Sequence, residues 1–214
     1  MRKGPKKIVV FAPHTDDGEI GCGGTIAKYI EDGKQVYYVA FSIARTSAVQ
    51  NGFPENILEI EVKNATKVLG IPKKNLILFD FPVRRFPEHR QDILEEMIKL
   101  RKKIQPDVIF VPSTNDIHQD HQVIAKEGLR AFKKHTILGY EEPWNNIVFE
   151  SRSFVTLEQR HIEKKIEALK CYQSQRHRTY LTEKAIWGIA ELRGTQLEGG
   201  YAEAFEVFRW IINK

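Results

Sequence analysis

The sequence predicts an α/β fold, a mostly parallel sheet with helices on both faces. Two observations carry this. Four short runs rich in β-branched and aromatic residues are apolar nearly throughout, the pattern of parallel strands covered on both sides. Longer helix-like stretches separate them, and strand–helix alternation of this kind means βαβ units. The expected architecture is a Rossmann-like three-layer sandwich with its ligand site at the carboxyl edge of the strands.

The elements follow in order. Residues 8–12 (IVVFA) read as the first strand, 24–31 as a helix, and 35–42 (QVYYVAFS) as the second strand. A helix over 57–69 leads to a strand over 75–81 (NLILFDF), and a helix over 92–103 to a strand over 107–112 (DVIFVP). Gly33 and Gly70 stand just past helical patterns, where a left-handed C-cap is expected. Beyond a helix over 122–134 the pattern is less regular. Residues 146–157 (NIVFESRSFVTL) read as one or two strands, and 158–172 and 181–192 as helices. With no repeat, low-complexity tract or Gly/Ser/Pro linker, the reading is a single domain over residues 1–214.

A chain of 214 residues that is 42% hydrophobic and 29% charged is long enough for a full core. Its formal charge of +5 comes from 33 Lys and Arg scattered along the chain. That reads as a solvated surface and not as a nucleic-acid patch, and it is compatible with an anionic substrate. Cys22 and Cys171 give no disulfide framework and no four-cysteine zinc site, so both are expected to be reduced. The start, MRKGPKK, is basic, but the apolar run at 8–13 is too short for a signal-peptide core. No stretch reaches the length of a membrane span, and a cytoplasmic location is expected. The oligomeric state stays open between a monomer and a homo-oligomer.

Chemistry concentrates directly after the first strand, in His14-Thr15-Asp16-Asp17-Gly18-Glu19-Ile20-Gly21-Cys22-Gly23-Gly24. One histidine and three carboxylates in so short a stretch repel one another when buried unless a cation compensates. A solvated acidic turn favouring the next helix N-terminus is the blander reading. A phosphate loop is excluded, because Gly24 stands where a P-loop needs its Lys and Ile26 where a dinucleotide fingerprint needs its third Gly. A second cluster, Asn115-Asp116-Ile117-His118-Gln119-Asp120-His121, follows the fourth strand. Both clusters follow strand carboxyl ends and can converge. Together they offer His14, His118, His121 and several carboxylates, the ligand types of a catalytic zinc site.

The joint pattern resembles the LmbE-like/PIG-L de-N-acetylase family, whose signature is a P/A-H-P-D-D-E segment with a Gly-rich turn and an H-x-D-H element downstream. Gly194 and Gly200-Tyr201-Ala202-Glu203-Ala204-Phe205 resemble its C-terminal segment, so the similarity spans essentially the whole chain. The resemblance implies His14, Asp17 and His121 as metal ligands, with Zn2+ the expected ion and Fe2+ another candidate. It implies Asp16 as the general base acting on the attacking water and His118 as the group covering the oxyanion or protonating the leaving amine. Asp120 is expected to orient a neighbouring histidine. The implied reaction removes an N-acetyl group from an amino sugar, sugar nucleotide or glycoside. The alternatives are a non-catalytic sugar- or nucleotide-binding module on the same fold and a metal hydrolase of another amide or an ester. Thr15 and Gly18 depart from the signature at positions that are not ligands. Leu58 stands where an Arg often begins the family's R-x-x-E element, ahead of Glu61. Arg45, Arg84 or Arg85, and Tyr201 are the candidate substrate contacts. Trp144 is in a stretch that can wall the pocket, and Arg176-His177-Arg178 is either an anion grip or a solvated loop.

Overall fold

Strand β1 (Lys7–Ala12) sets the layering of the molecule. Ile8, Val10 and Ala12 enter one apolar cluster, Val9 and Phe11 a second on the opposite face of the sheet. Both faces are covered, which is why the run reads as continuously apolar. The computed structural model describes residues 5–212, so the first four residues of the basic N-terminal run lie outside it.

From β1 the chain passes through α1 (Asp17–Glu31) to β2 (Gln35–Ala40). It continues by α2 (Arg45–Gln50) and α3 (Ile57–Val68) to the edge strand β3 (Leu76–Leu78). It then returns by α4 (Arg90–Ile104) to β4 (Val108–Pro112), on the other side of β1, and by α5 (Gln119–Ala131) to β5 (Thr136–Tyr140). The last elements are β6 (Ser153–Leu157), α6 (Gln159–Leu169), α7 (Glu183–Thr195) and β7 (Tyr201–Arg209). The sheet order is β3-β2-β1-β4-β5-β7-β6, parallel from β3 to β5 and antiparallel across β5/β7 and β7/β6. Helices α1, α3, α6 and α7 pack on one face and α4 and α5 on the other. The mostly parallel three-layer architecture expected from the sequence is therefore present. Among the described residues no helix is long and apolar enough to cross a membrane.

Gly33 and Gly70 have φ of 72° and 85°, the left-handed caps expected of them. Other expectations need correction. The first helix starts at Asp17, not at residue 24, because the glycine-rich run is itself helical. A Cβ at Gly21 would overlap the Tyr140 ring, so the glycine serves close packing of helix on sheet. The helix breaks at Cys22 (φ −147°, ψ 26°), and the amides of Gly24 and Thr25 donate to the Glu203 carboxylate at 3.0 and 2.6 Å. Lys165 Nζ balances that buried charge at 2.7 Å. Strands β5 and β7 are absent from the sequence reading. In β7 the buried Glu203 and Glu206 interrupt the apolar run that marks a covered strand. Of residues 146–157 only Ser153–Leu157 is strand; Ile147 and Val148 are apolar but exposed, with no sheet partner.

Gly194, singled out in the sequence, faces the backbone of Gly200, and a Cβ there would collide with that carbonyl oxygen. Neither partner can swing aside as a side chain would. Gly194→Ala is expected to destabilise the protein by about 1–3 kcal/mol or more, read from denaturant midpoints. An unchanged midpoint would refute this account of the α7–β7 packing.

Candidate active site

Strands β1 and β4 are parallel neighbours, and the chain leaves β1 toward β2 on one side and reaches β4 on the other. This is a topological switch point, where the loops at the carboxyl ends diverge and leave a crevice. The loop after β1 carries His14, Asp16 and the first helical residue Asp17; the loop after β4 carries Asp116 and His118, and the first turn of α5 carries Asp120 and His121. Residues separated by about a hundred positions thus meet at one sheet edge.

Three atoms form a triangle there. His14 Nδ1 lies 3.1 Å from Asp17 Oδ2, His121 Nε2 lies 3.3 Å from the same oxygen, and the two nitrogens are 3.3 Å apart. Ligands about 2.0–2.1 Å from a tetrahedral zinc stand about 3.3–3.4 Å from one another, so the spacing suits such an ion. The outward nitrogens agree. His14 Nε2 is 3.0 Å from Asp120 Oδ2 and His121 Nδ1 is 2.8 Å from Asp116 Oδ2. Carboxylates only accept, so each outer nitrogen donates, and with a cation at the centre each inner nitrogen would present a lone pair. Asp120 is itself fixed by the amides of Arg84 (2.6 Å) and Phe86 (3.2 Å). Two nitrogens and a carboxylate oxygen converge, a donor set that fits a divalent cation, and His118 and Glu142 each bring a further donor atom within 4.8 Å of part of this set.

The electrostatics carry the same signature. Burial by itself lowers His14, but Asp17 and Asp120 overcome it and raise the imidazole to about 9. His121 is raised for similar reasons, burial being outweighed by Glu142, Asp17 and Asp116. Burial alone would raise Asp17, yet His121 and His14 hold it well below the usual carboxylate range. Positive charge is favoured at the triangle's centre, whether it arrives as protons or as a metal ion.

Asp16 and His118 stand beside the triangle and line a cleft of about 400 Å³. Burial and Asp17 push Asp16 up to about 6, with Arg178 and His14 opposing. His118 is the N-cap of α5, and its Nδ1 accepts from the Asp120 amide at 3.1 Å. Burial, then His14 and His121, lower it to about 4, so the ring is neutral at physiological pH. With Nδ1 occupied as an acceptor, the proton resides on Nε2, which makes that atom a donor and not a lone-pair ligand.

The remaining sequence candidates divide. Arg84 lines the cleft, as do Leu58, Trp144 and Arg178. Arg45 does not: it turns outward to Asp80 at 2.8 Å, with Glu55 and Glu59 beyond. Nor does Tyr201, whose ring packs on Trp187 at 5.1 Å between centroids. Both are corrected as substrate contacts, and in each case the sequence neighbourhood misled because it does not reveal which way a side chain turns. Arg85 pairs with Glu88 at the surface. The sequence reading missed Glu142, which is fully buried against the cleft, with both carboxylate oxygens lacking a hydrogen-bond partner among the described residues. Its Oε2 is 3.5 Å from His121 Nδ1. It follows β5, a strand the pattern did not reveal, and stands two residues before Trp144 in the stretch read as able to wall the pocket, but carried no assigned role. Asp116 was visible within the second motif but carried no assigned role. Glu61 accepts from the Ser174 amide at 2.9 Å and its hydroxyl at 2.6 Å, which ties the loop leading to Arg178 onto α3.

Known proteins share this architecture. The family model described as PIG-L, GlcNAc-PI de-N-acetylase, matches residues 9–132, which include both motifs. The uncharacterized deacetylase YaiS of Escherichia coli (strain K12) is 29% identical over 179 residues, 79% of this chain and 91% of that protein. The N,N'-diacetylchitobiose deacetylase from Pyrococcus horikoshii, solved with an inhibitor, superposes with a TM-score of 0.79 at 22% identity, over 96% of this chain and 84% of that one. GalB, the 4-carboxy-2-hydroxymuconate hydratase of Pseudomonas putida KT2440, superposes at 0.80 with 19% identity, over 98% of each chain. The last two show the fold alone.

Proposed function

Because this chain belongs to the GlcNAc-PI de-N-acetylase (PIG-L, LmbE-like) family, we propose that it is a metal-dependent hydrolase removing an N-acetyl group from an amino sugar, sugar nucleotide or glycoside. The observation that carries the reading is the triangle of His14 Nδ1, Asp17 Oδ2 and His121 Nε2, backed by Asp120 and Asp116. These three residues would hold the ion, zinc by donor type, with iron(II) an alternative. When bound, such an ion lowers the pKa of water and polarises an amide carbonyl. The deacetylases among the relatives support amide cleavage. The fold does not decide it, since the hydratase has the same fold.

The chain's own residues supply the rest. Asp16 takes a proton from the attacking water on a carboxylate oxygen as the water oxygen bonds to the acetyl carbon. His118 Nε2–H donates to the carbonyl oxygen as that oxygen becomes negative. Asp120, through its amide on His118 Nδ1 and its carboxylate on His14 Nε2, holds both rings in the tautomer this requires. The proton on Asp16 passes to the amine nitrogen as the C–N bond breaks, releasing acetate and the free amine. A binding module needs no base, so a carboxylate set beside the triangle favours an enzyme over that alternative.

Acetate release from acetylated amino sugars, sugar nucleotides and glycosides, with zinc or iron(II) added, tests the proposal. No release from any of them would refute it. His118→Ala is expected to keep its metal and lower kcat by about 10²-fold or more with a smaller change in KM, the mark of an interaction made in the transition state. Loss of metal in that variant would make His118 a ligand instead.

A further inference from the structure

We propose that Tyr172 is a positioning residue for the general base, acting through the carbonyl oxygen of Thr15. This rests on the deacetylase reading, in which Asp16 takes the proton of the attacking water. Asp16 is the N-cap of α1, a place where an aspartate commonly accepts from the helix amides, yet its carboxylate makes no such bond. That leaves the carboxylate free to take a proton, and its direction is set through the backbone. The backbone is held on both sides. The Asp16 carbonyl accepts the Ile20 amide at 3.0 Å, the first hydrogen bond of the helix. The Thr15 carbonyl accepts from the Tyr172 hydroxyl at 2.7 Å. A peptide is planar, so fixing the Thr15 oxygen fixes the Asp16 nitrogen, and with it the direction in which the Asp16 side chain leaves the chain.

Tyr38 Oη stands 2.8 Å from the same oxygen, but it also meets Glu19 Oε2 and accepts the Gly18 amide at 3.1 Å. Tyr172 Oη lies 3.1 Å from Glu19 Oε1, farther than from the carbonyl. Each phenol has one proton. Giving that of Tyr172 to the carbonyl and that of Tyr38 to the carboxylate satisfies both acceptors. Thr15, Glu19, Tyr38 and Tyr172 are all buried, so bulk water does not replace a lost donor. Tyr172 is itself fixed: its ring packs in the core on this face of the sheet, and two residues on, Ser174 is tied to Glu61 of α3. The metal ligands have other supports. His14 is braced by the Asp120 carboxylate, and Asp17 accepts the His14 amide. Loss of the Tyr172 hydroxyl therefore reaches the base and spares the ion.

The test is a double-mutant cycle between Tyr172→Phe and Asp16→Asn, with acetate release and metal content measured on metal-loaded protein. Tyr172→Phe should lower kcat about 10–100-fold, with KM changed less than about threefold and metal retained, because a misplaced catalytic group costs turnover and not binding. In the Asp16→Asn background the same replacement should lower the residual rate less than about threefold, since the group it positions is gone. Equal losses in both backgrounds overturn the proposal, because the hydroxyl then acts on more than the base. So does an unchanged kcat in Tyr172→Phe, or a loss of turnover that tracks loss of metal. A crystal structure of Tyr172→Phe reads the placing without turnover. Its Asp16 carboxylate should stand about 1 Å or more from the wild-type position, and an unmoved carboxylate overturns the proposal. If Tyr172→Phe does not fold, Tyr38→Phe carries the same cycle, because it leaves one phenolic proton for both acceptors. Its smaller loss of kcat should likewise vanish in the Asp16→Asn background, and a loss that persists there overturns the proposal. Failure of the deacetylase reading shows separately, as absence of acetate release by the wild-type protein, and the crystal structures then judge the placing of Asp16 by themselves.

Discussion

Asp17→Ala is expected to yield folded protein that holds no metal and releases no acetate. Asp17 Oδ2 is the shared vertex of the triangle, within 3.3 Å of both inward imidazole nitrogens. It also accepts the His14 amide at 2.7 Å, so its removal loosens a second ligand as well. The affinity loss should exceed the roughly 10–100-fold typical of removing a partner behind the ligands. Elemental analysis after gel filtration, beside wild type prepared identically, reads the outcome. Stoichiometric metal in Asp17→Ala would remove this carboxylate from the ligand set.

The neighbouring carboxylate gives the second large effect with the opposite metal result. Asp16→Asn should keep its metal while kcat falls about 10²–10⁴-fold, the usual size of a general-base contribution. The pH profile adds a signature. A base works only when ionised, so wild-type activity is present above the Asp16 pKa and lost as pH falls through it. That pKa is about 6 with burial and Asp17 acting on it, and a bound cation moves it lower. Asp16→Asn should lack this acidic limb. If Asp16→Asn empties the site, the two adjacent carboxylates have exchanged roles.

The two predictions separate residues that are adjacent in sequence, and the division shows where sequence reading stops. The motifs around His14 and His121 are legible because histidines and carboxylates packed directly after a buried strand repel one another unless a cation sits among them. Their division of labour follows, at the level of sequence, only from a family resemblance. The fold adds a physical reason: Asp17 turns back to the His14 amide and both imidazoles, whereas Asp16 faces the cleft and Arg178. His118 and His121, three apart, are ambiguous in sequence as a ligand pair. The backbone separates them, since His118 is an extended N-cap with Nδ1 bound to Asp120, while His121 is within the helix.

What the sequence determined by itself is the layered, mostly parallel sheet and the placing of both His- and carboxylate-rich motifs directly after strand carboxyl ends. Strand burial and helix periodicity are local properties written in neighbouring residues. What only the tertiary structure decided is long-range: which histidine Asp120 meets, Asp116 behind His121, Glu142 beneath the cleft, Glu203 closing the break in α1, and the placing of Arg84 and Arg178 on the cleft wall with Arg45 and Tyr201 away from it. Glu142 and Glu203 lie on or just beyond strands that the apolar pattern did not disclose, because carboxylates there are buried for the partners they meet and not for their own hydrophobicity. Such partners come from positions far away in the chain, and only the folded chain brings them into contact.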